Sequence, residues 1–117
     1  MANLFNLDVI NTEGFRWAML LTAVESVGDF SLKKYAMTNE PIFIGTASGA
    51  YMGLVYVLQR ALRTSKLSST NALWNGMTNI TNTIIGVSLG EKMEPREYIG
   101  IGLITLGILL VDGNAMV

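Results

Sequence analysis

The chain has 117 residues, enough for one domain; half are hydrophobic and only 15% are charged, against about a quarter in an ordinary soluble domain. A formal net charge of −1, with no basic, aromatic-rich pattern, argues against nucleic acid as a partner. Cysteine and histidine are both absent, which removes disulfides, thiolate metal sites and His-dependent nucleophilic triads. No phosphate loop or nucleophile–base pair occurs either, so the sequence does not read as an enzyme and implies no metal or organic cofactor.

The charges are unevenly spread. Residues 42–59 and 67–90 carry none, and 98–111 (YIGIGLITLGILLV) is an uncharged apolar run. A bilayer span takes about 20 residues. The pattern predicts an all-α integral membrane protein with four transmembrane helices at about 15–32, 41–60, 67–89 and 96–111, within one domain covering 15–112. A soluble helical bundle is the alternative, but its helices would lack polar faces. Residues 1–14 (MANLFNLDVINTEG) form a tail without a basic leader or long apolar core, and 113–117 form a second tail. The glycosylation-like Asn79-Ile80-Thr81 falls in mid-span, out of reach of any transferase.

Helix 1 carries Glu25 and Asp29 in an otherwise greasy stretch, LLTAVESVGDFSLKKY. An acidic group in mid-membrane costs about 2.5–3.5 kcal/mol on insertion scales, so Glu25 is expected to face protein or water. Low-dielectric surroundings disfavour a charged carboxylate, which makes Glu25 a candidate proton carrier or cation site. Snorkelling to the interface is the alternative, and a stronger one for Asp29, nearer Lys33 and Lys34. Thr22, Glu25 and Asp29 follow three- and four-residue steps and share a face, with Gly28 beside them.

Helix 2 opens on Pro41, with Asn39 close by as a capping group, and repeats glycine at 45, 49 and 53. Helix 3 carries a polar stripe of Ser68, Asn71, Asn75, Thr78 or Asn79, and Asn82. Hydrogen bonding to another helix is the plain reading of such asparagines, and lining a wet cavity the other. Trp74, beside the stripe, could stack on a cation or belong to an interfacial belt. Helix 4 begins at Pro95 after Glu94, a second capping candidate, and places Gly100 and Gly107 seven apart on one face, flanked by Ile104 and Val111, with Leu109 expected towards lipid. That face packs either within the subunit or against a second copy.

The segments AVESVGDFSLKKY, ALWNGMTN and GEKMEPREYIGIGLITLGILLV, taken together and in this order, resemble the small multidrug resistance family of the drug/metabolite transporter superfamily, over about residues 15–111. The resemblance implies a four-helix exporter acting as an antiparallel, dual-topology homodimer in a membrane, the cell membrane if the source is prokaryotic. It implies that Glu25 binds protons and cationic substrate in alternation, that Tyr51 and Trp74 lie at the binding chamber, and that Gly100 and Gly107 mark a fourth-helix dimer seam. Three residues depart from the family pattern. Asn71 stands where many members have a tyrosine, Asp29 replaces a small or hydroxyl residue, and Leu21 is bulkier than usual.

The expected function is thus a proton-coupled antiporter exporting a cationic or polar solute. Protons and substrate compete for Glu25, and Thr22, Asp29, Tyr51, Asn71, Trp74 and Asn75 complete the site. The expected partners are the lipid bilayer, a second copy of the chain, protons and the cationic solute. The rivals are a non-transporting membrane scaffold of the same fold and one subunit of a heteromeric transporter. Counting Lys and Arg by side gives Arg16, Arg60, Arg63 and Lys66 against Lys33, Lys34, Lys92 and Arg96, which favours neither orientation. A C-terminal reporter active on one side only should therefore give signal from both sides of the membrane, and two added lysines in one set of loops should skew it. A single clean orientation of the unmodified chain would contradict dual topology.

Overall fold

A computed structural model describes residues 12–111, which form four α-helices and no strand. Helix α1 is Glu13–Thr38, α2 Pro41–Ala61, α3 Leu67–Ser88 and α4 Pro95–Ile108. Local chemistry accounts for their ends. Thr12 caps α1 by accepting the Phe15 N–H at 3.2 Å. Asn39 closes α1 in the left-handed region (φ 59°), its N–H donating to the Tyr35 carbonyl at 2.7 Å. Asn39 thus caps the end of α1 and not the start of α2. Helix α2 begins at Pro41, whose missing N–H costs nothing in a first turn, and α4 repeats the arrangement at Pro95. Glu94 occupies the N-cap of α4 without a side-chain capping bond.

Helix α1 runs well past residue 32, because Lys33 and Lys34 continue the helix instead of ending it. Helix α4 stops at Ile108 and finishes in i→i−3 bonds from Leu109, Leu110 and Val111. Its 14 residues span about 21 Å, short of an about 30 Å hydrocarbon core. Among the described helices only α2, with a mean hydropathy of 1.5, is both long and apolar enough to mark a span by composition alone. Helix α3 has the length, but its Asn, Ser and Thr residues lower its hydropathy.

Helix α1 is the middle of the fold, packed against α2 on one side and α3 on the other, while α4 leans mainly on α3. The result is a thin layer, with extents of 51 × 37 × 17 Å. Its small core lies where α1, α3 and α4 meet, at Ala18, Leu73 and Ile108, with Phe15, Trp74 and Met77 against it. Leu109, expected towards lipid, also packs against this core. The last turn of the helix tightens into i→i−3 bonds there.

Six buried hydrophobic residues face twenty large exposed ones among the described residues, a ratio that water would not tolerate but lipid would. Exposed hydroxyls are handled within their own helices. Thr46, Thr83, Ser88 and Thr105 each donate to the carbonyl four residues back, at 2.7–3.1 Å, so no lipid-facing donor among them is bare.

Gly76 fixes the α3–α4 contact. A Cβ there would stand 2.7 Å from the Ile108 side chain, so the missing side chain is what lets Ile108 enter the core. Gly76→Ala should cost about 1–3 kcal/mol by overpacking. Gly45→Ala, with nothing within 4 Å, should be neutral or slightly stabilising. Reversible unfolding in mixed micelles compares the two, and equal stability would place the α3–α4 contact elsewhere.

Candidate functional site

The polar face of α1 meets α2 and α3 at its two carboxylates. Thr78 of α3 donates to Glu25 Oε1 at 2.8 Å. Four residues on, Asn82 of α3 donates to Asp29 Oδ2 at 2.9 Å. The equal steps along both helices mean that α1 and α3 run parallel, in register, as in an up-down-up order of three helices. Tyr51 of α2 closes the site from the other side, its hydroxyl donating to Asp29 Oδ1 at 2.5 Å, the length of a charge-assisted bond. The ring reaches Asp29 by crossing Gly28, where a Cβ would stand 2.8 Å from the ring. Glycine at 28 is therefore a condition of the Tyr51–Asp29 bond.

Both carboxylates are partly buried, and every donor to them is uncharged. The ion pairs among the described residues are Lys33–Glu91 and Arg96–Glu94, so neither Glu25 nor Asp29 forms an ion pair there. Such a pair can hold protons, or can attract a cation that enters between the helices.

The other expected residues divide. Thr22 is buried one turn before Glu25, its hydroxyl without a partner. Trp74 sits one turn before Thr78 on α3, partly buried against the small core, with its indole N–H buried and meeting no acceptor. Asn71 and Asn75 are exposed and hydrogen-bond neither carboxylate. Gly100 and Gly107 face open space, with nothing within 4 Å of a Cβ at either. Ile104, 40% exposed, reaches to 3.5 Å from a Cβ position on Gly76 of its own chain.

Two side chains that touch the carboxylates, Thr78 and Asn82, belong to the polar stripe of α3 and do not stand out within it. Their four-residue step equals that between Glu25 and Asp29, but Asn71 and Asn75 share it, so only the register between α1 and α3 singles them out. Asn79, the alternative to Thr78 in the stripe, bonds back to the Asn75 carbonyl at 2.9 Å and leaves the site to Thr78.

The profile of the Small Multidrug Resistance protein family matches residues 15–104, which hold the whole polar ladder and most of all four helices. The chain belongs to the small multidrug resistance family. A multidrug transporter of Pseudomonas aeruginosa is 26% identical over 99 residues, covering 84% of this chain and 90% of that protein. No solved structure matches the chain. Small multidrug resistance proteins are multi-pass membrane transporters and not enzymes, so the thin, lipid-facing layer is the membrane domain of a transporter.

The Tyr51–Asp29 bond is measurable by a double-mutant cycle of Tyr51→Phe and Asp29→Asn. A hydrogen bond to a charged acceptor contributes about 1.5–3 kcal/mol, so each single change should destabilise the protein and the double change should cost little more than either. Unfolding in mixed micelles reads the cycle, and simple additivity would show that the two side chains act independently.

Proposed function

We propose that this transporter exchanges protons for a cationic solute, with Glu25 as the group both compete for. The observation that carries this reading is the pair of partly buried carboxylates, held by uncharged donors and paired with no cation. In a low-dielectric site a bare carboxylate draws a proton or a cation, and occupancy by one disfavours the other. Loading substrate from one side releases protons, and protons arriving from the other side release substrate. Alternation of that kind is the whole coupling mechanism; no covalent step is needed.

On this reading the solute sits against the open face of α1. Glu25 supplies the exchangeable charge and Asp29 a second negative group, while Tyr51 holds Asp29 in place. Thr22 and Trp74 stand behind that face, with a buried hydroxyl and a buried indole N–H that no protein acceptor occupies. Asn71 and Asn75 line the exposed approach along α3. The family name and the Pseudomonas aeruginosa relative, a multidrug transporter, support a small organic solute. The two carboxylates support its positive charge.

A single layer of helices makes only half a chamber, so the reading includes a homodimer. Helix α4 supports this. It leans mainly on α3, and Gly100 and Gly107, almost two turns apart, leave a shallow open groove on one side. In lipid, close backbone approach must supply the association that hydrophobic burial supplies in water. Ile104, at the groove's edge, would interlock with the partner. The even distribution of Lys and Arg supports an antiparallel arrangement of the two copies.

One set of three variants tests the reading in vesicles carrying a pH gradient, with quaternary ammonium, guanidinium and polyamine cations as trial solutes. Glu25→Gln should remain dimeric by single-molecule photobleaching yet lose all proton-driven flux. Gly107→Leu should lose both dimer and flux, while Leu106→Ala, on an exposed face away from the groove, should keep both. Proton-driven flux through Glu25→Gln overturns the role of Glu25. Dimerisation of Gly107→Leu equal to that of Leu106→Ala moves the seam to another helix, and no flux of any solute by the unmodified chain would favour a scaffold.

A further inference from the structure

The ladder between α1 and α3 has a third rung. Glu25 meets Thr78 and Asp29 meets Asn82, and the same register carried on one further step sets Lys33 opposite Gly86. Glycine offers no side chain to meet it. The gap is filled from the loop: Glu91 folds back over Gly86, where a Cβ would collide with its carboxylate, and pairs with the Lys33 ammonium at 2.8 Å.

The backbone holds Glu91 in that position. Helix α3 ends with Gly90 in the left-handed region (φ 97°), the Gly90 N–H donating to the Val87 carbonyl and the Glu91 N–H to the Gly86 carbonyl, both at 3.0 Å. This is the double bond pattern of a Schellman cap, and it sets the residue after the glycine against the last turn of its own helix. The pair forms part of the lining of a cleft of about 200 Å³, with Asp29, Asn82, Ile85 and Leu89. The second carboxylate of the site and the Lys33–Glu91 pair therefore line one cleft.

Asp29 is also four residues before Lys33, the spacing and order at which an acid and a lysine pair along one helix. Lys33 thus has two acidic neighbours along the wall of the cleft, Glu91 by its ion pair and Asp29 by its helical spacing. We propose that Lys33 is a two-position latch. Paired with Glu91 it ties α1 to the α3–α4 loop and closes the cleft; turned back to Asp29 it frees the loop and opens the cleft. The pair is close to half exposed, at 44% and 48%, so it is weak enough to open thermally. The latch rests on the transport reading only for its purpose, which is to control access to Asp29 from one end of the bundle.

The absence of cysteine gives a clean background for the test. A single cysteine is placed on the cleft wall, as Ile85→Cys and separately as Leu89→Cys, so that failure of one to fold leaves the other. Labelling by a neutral, water-soluble maleimide is timed in detergent-solubilised protein over a series of pH values, and rates are compared per thiolate, so that a thiol pKa shifted by altered charge in the cleft is separated from access. Lys33→Met and Glu91→Gln should each speed labelling roughly two- to five-fold, the range that an exposed ion pair allows. Combined, they should give no more than the faster of the two, because both remove one interaction. Asp29→Asn should slow labelling, since Lys33 then has only Glu91 to hold. Unchanged rates in the single variants, or effects that multiply in the double, overturn the latch. Faster or unchanged labelling in Asp29→Asn overturns its second position. Labelling requires neither flux nor dimerisation, so this result and the transport result fail independently.

Discussion

Hydrocarbon offers no water to a polar group, and the arrangement of α1 follows from that. A carboxylate left bare in lipid costs several kcal/mol, so the helix that carries Glu25 and Asp29 cannot lie at an edge with those residues outwards. It lies in the middle, where α2 and α3 bring donors from both sides. Thr78 and Asn82 reach the acids because α3 runs parallel to α1 in register, and Tyr51 reaches because Gly28 opens the path. Parallel α1 and α3 in turn require α2 to return between them along the chain, which the tight connection through Asn39 and Pro41 allows. Polar satisfaction thus sets the order of packing, and apolar contact fills in around it.

Most of the fold was legible because charge is forbidden in the spans and allowed between them. Uncharged runs mark α2, α3 and α4, and Pro41 and Pro95 mark where two of them begin. The ends were less legible. Lysine propagates a helix as well as it punctuates a membrane span, so Lys33 and Lys34 did not terminate α1, and Asn39 capped the helix before it instead of the one after. Helix α4 ended early, and Leu109 met the core, where the last turn tightens into i→i−3 bonds that periodicity does not contain.

Within the site, Glu25 and Asp29 stood out by composition alone, since two acids in an apolar run demand an explanation. Tyr51 was visible only through family resemblance and Gly28 only as a neighbour of the acids on their helix face, and the bond from Tyr51 to Asp29 across Gly28 depends on the crossing of α1 and α2. Thr78 and Asn82 were present in the polar stripe but indistinguishable from Asn71 and Asn75. Which members of such a stripe face a neighbour depends on the register between two helices, and register is a property of the pair. One helix read alone does not contain it.

The two carboxylates are held differently, and the difference bears on which of them exchanges its occupant. Asp29 accepts from two side chains on two helices, one bond as short as 2.5 Å, so to release it α1 must part from both neighbours. Glu25 accepts from Thr78, on one helix, through a longer side chain with an additional rotatable bond. A cation or proton binding Glu25 need displace one neutral bond; binding Asp29 competes with two. On the proposed reading Glu25 is therefore the group that alternates. Asp29 contributes mainly a fixed field, lowering the energy of positive charge anywhere within a few ångströms while its own contacts stay closed. The extra acid would deepen the attraction of the chamber for cations without adding a second freely exchanging site, and Tyr51 is the residue that keeps those two effects apart.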